Sequence, residues 1–459
     1  VVVAGLGFSH RNQEVGRVNR RIRHAVVGGV LALIVTGCGE IGRPLPVAYS
    51  RKPEVTEKLS KRPKVQARID EVISKLFGPT PNVMRVPPGA PLPEGGARLA
   101  SFVVLGDTSP PGEPLHLQKR VPGKTRDQYV DIRGGYAIYR EQCMHCHGAS
   151  GDGNGPTAPF LWPAPRDYRP GVFKFTSTKG SGPDSKPTRT DLRRTLNQGL
   201  ANTSMPAFAS LLQPDEIERV IDYVMFLSMR GEVETALVYL SQDTEDANVN
   251  EELGPDQVQE ALQLVFERWK GADANVLEPE TPRTPSTRES IARGRELFLG
   301  LKGLQCYGCH GLDAKGNGES FVDYKHFVRA VFEGDPNPAK FEVLKVYAEK
   351  NNKKWGDDWG QPLRPANLNA GVYKGGRRPI DLYWRVAKGI NGTPMPVHLG
   401  SQLKSDAEVW DLVNFLLALP YDAKLLEGAE PVPGASLTTQ HQDRQGPVSA
   451  RMLSNRLEE

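Results

Sequence analysis

The chain has 459 residues, of which 38% are hydrophobic and 24% charged, and 58 Lys and Arg against 54 Asp and Glu leave a formal net charge of +4. That length implies two or three domains rather than one core, and the 47 Gly and 38 Pro imply much loop and linker around them. So small and evenly spread a charge excludes a nucleic-acid binder with a basic stripe. With no apolar run near the roughly 18 residues of a spanning helix, a polytopic membrane protein is excluded too.

The N-terminus carries Arg17, Arg20, Arg21 and Arg23, then an apolar run from Ala25 to Gly37. The run is too short to span a bilayer but suits the hydrophobic region of an export signal, so residues 1–37 are read as a signal peptide. It ends in Val35-Thr36-Gly37-Cys38, small residues before a cysteine. This resembles a bacterial lipobox, which implies that Cys38 carries a lipid and opens the mature chain. The other reading is a plain signal peptide that happens to contain a cysteine. Residues 1–14 lack signal character, so translation is expected to begin further in. Segment 38–130 is rich in Pro and Gly and reads as a tether, with one helix predicted over Pro63–Gly78.

Of the five cysteines, four form two Cys-x-x-Cys-His units, Cys143-Met-His-Cys146-His147 and Cys306-Tyr-Gly-Cys309-His310. Two thiols at this spacing can add to the two vinyl groups of one haem, and the histidine that follows falls beneath the iron. A thioredoxin-like redox pair needs no such histidine and wants a βαβ setting. A structural zinc site needs its ligands gathered into one tetrahedron.

The surroundings of the two motifs repeat in order. Gly148 to Gly155 matches Gly311 to Gly318, and Pro165 with Gly171-Val-Phe-Lys174 matches Pro365 with Gly371-Val-Tyr-Lys374. Next, Gly199 and Asn202-Thr-Ser-Met205-Pro206 match Gly389 and Asn391-Gly-Thr-Pro-Met395-Pro396, and Val220–Arg230 aligns with Val409–Leu419. The copies differ by insertions. The second carries 37 extra residues between its histidine and Gly371, near 320–360, and the first ten extra around Ser177–Thr188. A helix is expected within Phe327–Lys350, with a lid or a docking surface as the insertion's role.

Ser286-Thr-Arg-Glu289 and Ser405-Asp-Ala-Glu408 read as capping boxes at the first and last helices of the second unit. In the first unit Pro214 is expected to open the last helix. Each first helix holds a glycine four residues before an aromatic, Gly135 with Tyr139 and Gly294 with Phe298. The missing side chain would let the last helix cross closely there.

Both units resemble class I cytochrome c domains: an N-terminal helix, CxxCH, a loop, a methionine beside proline, and a C-terminal helix. The resemblance implies a mainly α protein of two tandem haem domains, at 131–230 and 286–420, and two covalently bound haem c groups. Between them lies linker 231–285, with a helix expected over Val258–Lys270, and residues 421–459 read as a disordered tail.

The resemblance also selects axial partners. Met205 sits in a loop before proline, whereas Met225 and Met229 lie four apart on a helix, as core filler does. In the second unit Met395 competes with the tail residue Met452 and with His398 and His326, lone histidines of a kind usually satisfied elsewhere. Expected iron ligands are therefore His147 with Met205 and His310 with Met395, and Pro156, Pro163 or Pro165, mirrored by Pro365, is expected to supply the carbonyl orienting the histidine.

An iron closed by His and Met has no vacant site and suits electron transfer rather than independent catalysis. The expected function is thus a lipid-anchored dihaem carrier, or the cytochrome subunit of a respiratory complex, on the periplasmic side of a bacterial membrane with redox proteins as partners. The rival is a dihaem peroxidase with one iron that can open, and a third reading makes segment 38–130 a docking module for another subunit. Without residues 1–37 the polypeptide has 53 basic and 53 acidic residues. Any charge-guided docking must come from local patches.

Overall fold

The computed structural model describes residues 48–81, 83–99, 117–120, 129–132, 134–241, 253–300, 303–322 and 338–430. The signal segment, Cys38, His326 and Met452 lie outside these.

Two short helices come first, α1 (Pro53–Leu59) and α2 (Pro63–Phe77), each opened by a proline whose missing N–H costs nothing at that position. A two-stranded antiparallel hairpin follows, β1 (Leu117–Arg120) against β2 (Tyr129–Ile132), which the sequence pattern does not announce. The first repeat then runs through α3 (Gly135–Gln142), the one-turn α4 (Met144–His147), α5 (Arg189–Gln198) and the long α6 (Pro214–Leu240). Next come α7 (Pro255–Lys270), then α8 (Arg288–Phe298), α9 (Tyr307–His310), α10 (Pro338–Lys350), α11 (Pro379–Lys388) and α12 (Asp406–Ala418). The protein is mainly α, with two cores that follow the duplication. Among the described residues no helix is long and apolar enough to cross a membrane.

The glycine crossings form as expected. On α3, a Cβ at Gly135 would stand 2.9 Å from the carbonyl carbon of Arg219 on α6, and Tyr139 meets Tyr223 at 4.9 Å between ring centroids. On α8, a Cβ at Gly294 would stand 2.7 Å from the Asp411 carbonyl carbon on α12, and Phe298 meets Phe415 at 5.4 Å. The helix starts are close to expectation. Pro214 opens α6, but α8 is capped one residue on, by Thr287, whose hydroxyl accepts the Ser290 amide at 3.2 Å. At α12 Ser405 accepts the Glu408 amide, while the Glu408 carboxylate takes the Lys404 amide instead of closing a box.

Three boundaries shift. Residues 48–99 are no loose tether, because Leu59, Val65, Ile69 and Phe77 are fully buried in the first core and Phe77 packs edge-on against Phe226 at 5.6 Å. The last helix does not stop at 230; α6 runs to Leu240 and buries Val233, Ala236, Leu237 and Val238. That extended apolar stripe must be covered, and α1, α2 and α7 pack on α6. Much of the expected linker is therefore domain, with Ala261, Val265 and Trp269 in the core. At the far end, residues 421–430 belong to the second domain, where Arg295 Nε donates to the Leu425 carbonyl at 2.6 Å; the rest of the expected tail lies outside the described residues. The insertion helix α10 begins at Pro338, and 323–337 lie outside the described residues.

The two cores meet along a polar seam. Arg194 of α5 donates to Asp381 of α11 at 2.9 Å. Lys388 Nζ reaches Thr176 Oγ1 at 2.5 Å and Ser185 Oγ at 2.8 Å, and Asn391 Nδ2 donates to the Phe173 carbonyl at 3.1 Å.

Candidate functional site

In the first domain α3 ends at Cys143, and one tight turn places Cys146 and His147 above it: the His147 amide donates to the Cys143 carbonyl at 2.9 Å. His147 is buried, and its Nδ1 lies 3.1 Å from the Arg166 carbonyl oxygen. A carbonyl only accepts, so Nδ1 holds the proton and Nε2 keeps its lone pair. Burial pushes the imidazole down to about 4, which keeps it neutral. The ring stacks on Tyr168 at 4.7 Å between centroids.

The second domain repeats this. The His310 amide donates to the Cys306 carbonyl at 2.9 Å, and His310 Nδ1 lies 3.1 Å from the Ala366 carbonyl. Burial again lowers the histidine. The orienting carbonyl thus belongs in each domain to the residue after the expected proline. The prolines themselves are turned elsewhere: a Cβ at Gly153 would stand 2.5 Å from the Pro165 carbonyl oxygen, and one at Gly316 would strike that of Pro365.

The four cysteines of the motifs form no disulfide among the described residues. Burial pushes Cys143 and Cys306 up to about 12 and raises Cys309. Among the described residues no three His, Cys, Asp or Glu side chains gather into a metal site.

Each methionine loop is a closed hydrogen-bonded frame built on the C-terminus of a helix. After α5, Thr203 Oγ1 donates to the Leu200 carbonyl at 2.7 Å and accepts the Met205 amide at 3.1 Å, while the Leu200 amide returns to the Met205 carbonyl at 3.1 Å. After α11, Thr393 Oγ1 donates to the Ile390 carbonyl at 2.8 Å and accepts the Met395 amide at 3.2 Å, and the Ile390 amide reaches the Met395 carbonyl at 3.3 Å. Both methionines are half-buried, and Met205 packs on the first core. Of the competitors, Met225 and Met229 are core residues of α6, and His398 is buried with its Nδ1 2.7 Å from Gln402 Oε1. In each domain the first helix, which precedes CxxCH, and the helix before the methionine pack on the same last helix. Sequence reading missed Arg166, Ala366, Thr203 and Thr393. The threonine was detectable, since it stands two residues before methionine in both copies.

Residues 130–224 match the family of cytochrome c oxidase, cbb3-type, subunit III, and residues 291–420 match the cytochrome c family. The chain carries two class I cytochrome c domains in tandem. No curated protein matches it. A solved structure from Kuenenia stuttgartiensis, a chain of the reducing HAO-like protein complex, is 24% identical over 62% of this chain and 94% of that one, with a TM-score of 0.40. So loose a superposition bears on neither function nor partners.

Cytochrome c domains bind haem c covalently and transfer electrons, and two domains fit two haems. The residues present suit that group. In both copies two thiols one helical turn apart precede an imidazole whose Nδ1 is held by a carbonyl, which leaves Nε2 as the donor.

Proposed function

We propose that this is an exported dihaem electron-transfer protein. Cys143 and Cys146 hold one haem, Cys306 and Cys309 the other, and the irons are closed by His147 with Met205 and by His310 with Met395. Held by these residues, haem c would supply a one-electron ferric–ferrous couple that takes up no substrate. What the chain supplies is a neutral, oriented imidazole, a methionine on a braced loop and an apolar surround. A lipid on Cys38 anchors it on the periplasmic side of a bacterial membrane, where it serves redox proteins as a carrier or as the cytochrome subunit of a respiratory complex.

The observation that carries this reading is the twofold occurrence of the threonine-braced methionine loop. A peroxidase needs one iron that opens, and so one domain whose loop differs. The test is the near-infrared methionine–ferric band of the oxidised protein. Two such centres per chain are expected; one high-spin or bis-histidine haem sinks the proposal. For the anchor, Cys38→Ala should move the protein from the membrane to the soluble fraction, and an unchanged distribution would refute lipidation.

A further inference from the structure

The large insertion of the second domain reaches into the first. Residues 354–362 form a strap closed on itself: the Asp357 amide donates to the Gln361 carbonyl at 2.9 Å, and Asp357 Oδ1 accepts the Trp359 and Gln361 amides at 3.2 and 3.0 Å. On one side the strap is bound to the Met395 loop. The Asp358 amide donates to the Gly392 carbonyl at 3.0 Å, Lys354 Nζ donates to the Pro394 carbonyl at 3.3 Å, and the Trp359 ring covers Gly392 so closely that a Cβ there would strike it. On the other side it meets the first domain. The Arg166 guanidinium lies over the Trp359 ring, 3.5 Å from its centroid, and Asp357 Oδ2 accepts from Lys174 Nζ at 2.8 Å with Arg166 Nη2 at 3.8 Å. Arg166 is also the residue whose carbonyl holds His147.

One indole is thus wedged between the side chain of the residue whose carbonyl orients the histidine of one domain and the loop that carries the methionine of the other. A guanidinium stacked face-on and out of water is held more firmly than one in solvent. We propose that Trp359 is a positioning residue that clamps Arg166 against the Met395 loop and sets the two domains in one fixed arrangement. Through it the second domain tunes the first domain's centre. The second half of this inference rests on the dihaem reading; the clamp itself does not.

Loosening Arg166 slackens the hydrogen bond from His147 Nδ1, which makes the imidazole a weaker electron donor and disfavours the ferric state. In the holoprotein, Trp359→Ala should raise the first domain's midpoint potential. Met205→His, which alters that centre's spectrum alone, identifies which of the two it is. By hydrogen exchange the Asp358 amide should open at least about tenfold faster. Trp359→Phe keeps a stacking face and should restore both readouts, whereas Trp359→Leu, which fills space without a π face, should behave as Trp359→Ala and serves if that variant fails to fold. An unmoved first-domain potential alongside faster exchange would reduce the strap to a structural tie and overturn the tuning. A phenylalanine variant as impaired as the alanine one would show that a π face does not hold Arg166, and overturn the stacked clamp. Wild-type protein with fewer than two haems per chain would refute the dihaem reading alone, with the exchange result still deciding the clamp.

Discussion

Gly294→Ala puts the duplicated helix crossing to a quantitative test. The added methyl would stand 2.7 Å from Phe415 Cβ and from the Asp411 carbonyl carbon, and nearer still to the carbonyl oxygen. Ordinary contact needs about 3.5–4.0 Å, so α8 and α12 must part by roughly 1 Å. Asp411 cannot yield, because its carboxylate is held by Ser290 Oγ and Arg293 Nε, each at 2.6 Å. Overpacking of this kind costs about 1–3 kcal/mol or somewhat more, against up to about 1 kcal/mol gained when alanine replaces glycine within a helix. A net loss of about 2 kcal/mol is expected, which for a domain of this size lowers the melting temperature by roughly 7 °C. Far-ultraviolet circular dichroism of the haem-loaded protein reads it. A variant melting at or above wild type would mean that helix propensity decides the sign and that the helices do not meet at Gly294.

Other outcomes follow from single groups. Lys186 and Glu232 form a fully buried ion pair, with Trp269 Nε1 donating to Glu232 at 2.8 Å. Lys186→Met strands the carboxylate and should cost about 3–5 kcal/mol in urea unfolding, while adding Glu232→Leu should recover most of it; no recovery would refute a charge-based cost. Lys388 is lowered from 10.5 to about 8 by burial at the seam. Between those values the unfolded chain holds a proton that the folded chain does not, so stability should rise with pH by up to about 1.4 kcal/mol per unit. Below about 8 both forms are charged and the full burial cost applies. The urea midpoint of Lys388→Met should lack this slope, and parallel profiles would show that Lys388 is not its source. Met205→Ala and Met395→Ala should each abolish one methionine–ferric band and lower one midpoint potential, since a thioether favours the ferrous iron; loss of both bands from one substitution would break the one-loop-per-iron assignment.

What could be read from the chain was whatever it states twice. CxxCH, the glycine–aromatic pairs and the Met-Pro loops have the same order and chemistry in both copies, so chance patterns cancel and the helices at Gly135 and Gly294 cross as expected. Single-copy features had no such control. The stripe Val233–Val238 continues a helix that the second repeat ends near Ala418, so a boundary taken from the shorter copy cut α6 at Arg230. The proline expectation failed by one residue for a different reason. Composition marks a rigid extended stretch at Pro165 and Pro365, but which carbonyl turns to the histidine depends on the glycine packed beneath each proline. No local pattern encodes that.

The duplicated and unduplicated parts divide the work. Everything repeated belongs to the haem site proposed for one domain: the turn bearing the cysteines, the carbonyl on the histidine, the braced methionine. Of what is not repeated, α1, α2 and α7 complete the first core, and the two insertions serve the relation between the domains. The first domain's extra residues supply Ser185, which meets Lys388, and Lys186, which is tied into the core at Glu232. The second domain's extra residues supply Asp357 and Trp359, which meet Lys174 and Arg166. Divergent insertions make the seam directional, setting a histidine-side loop of one domain against a methionine-side loop of the other.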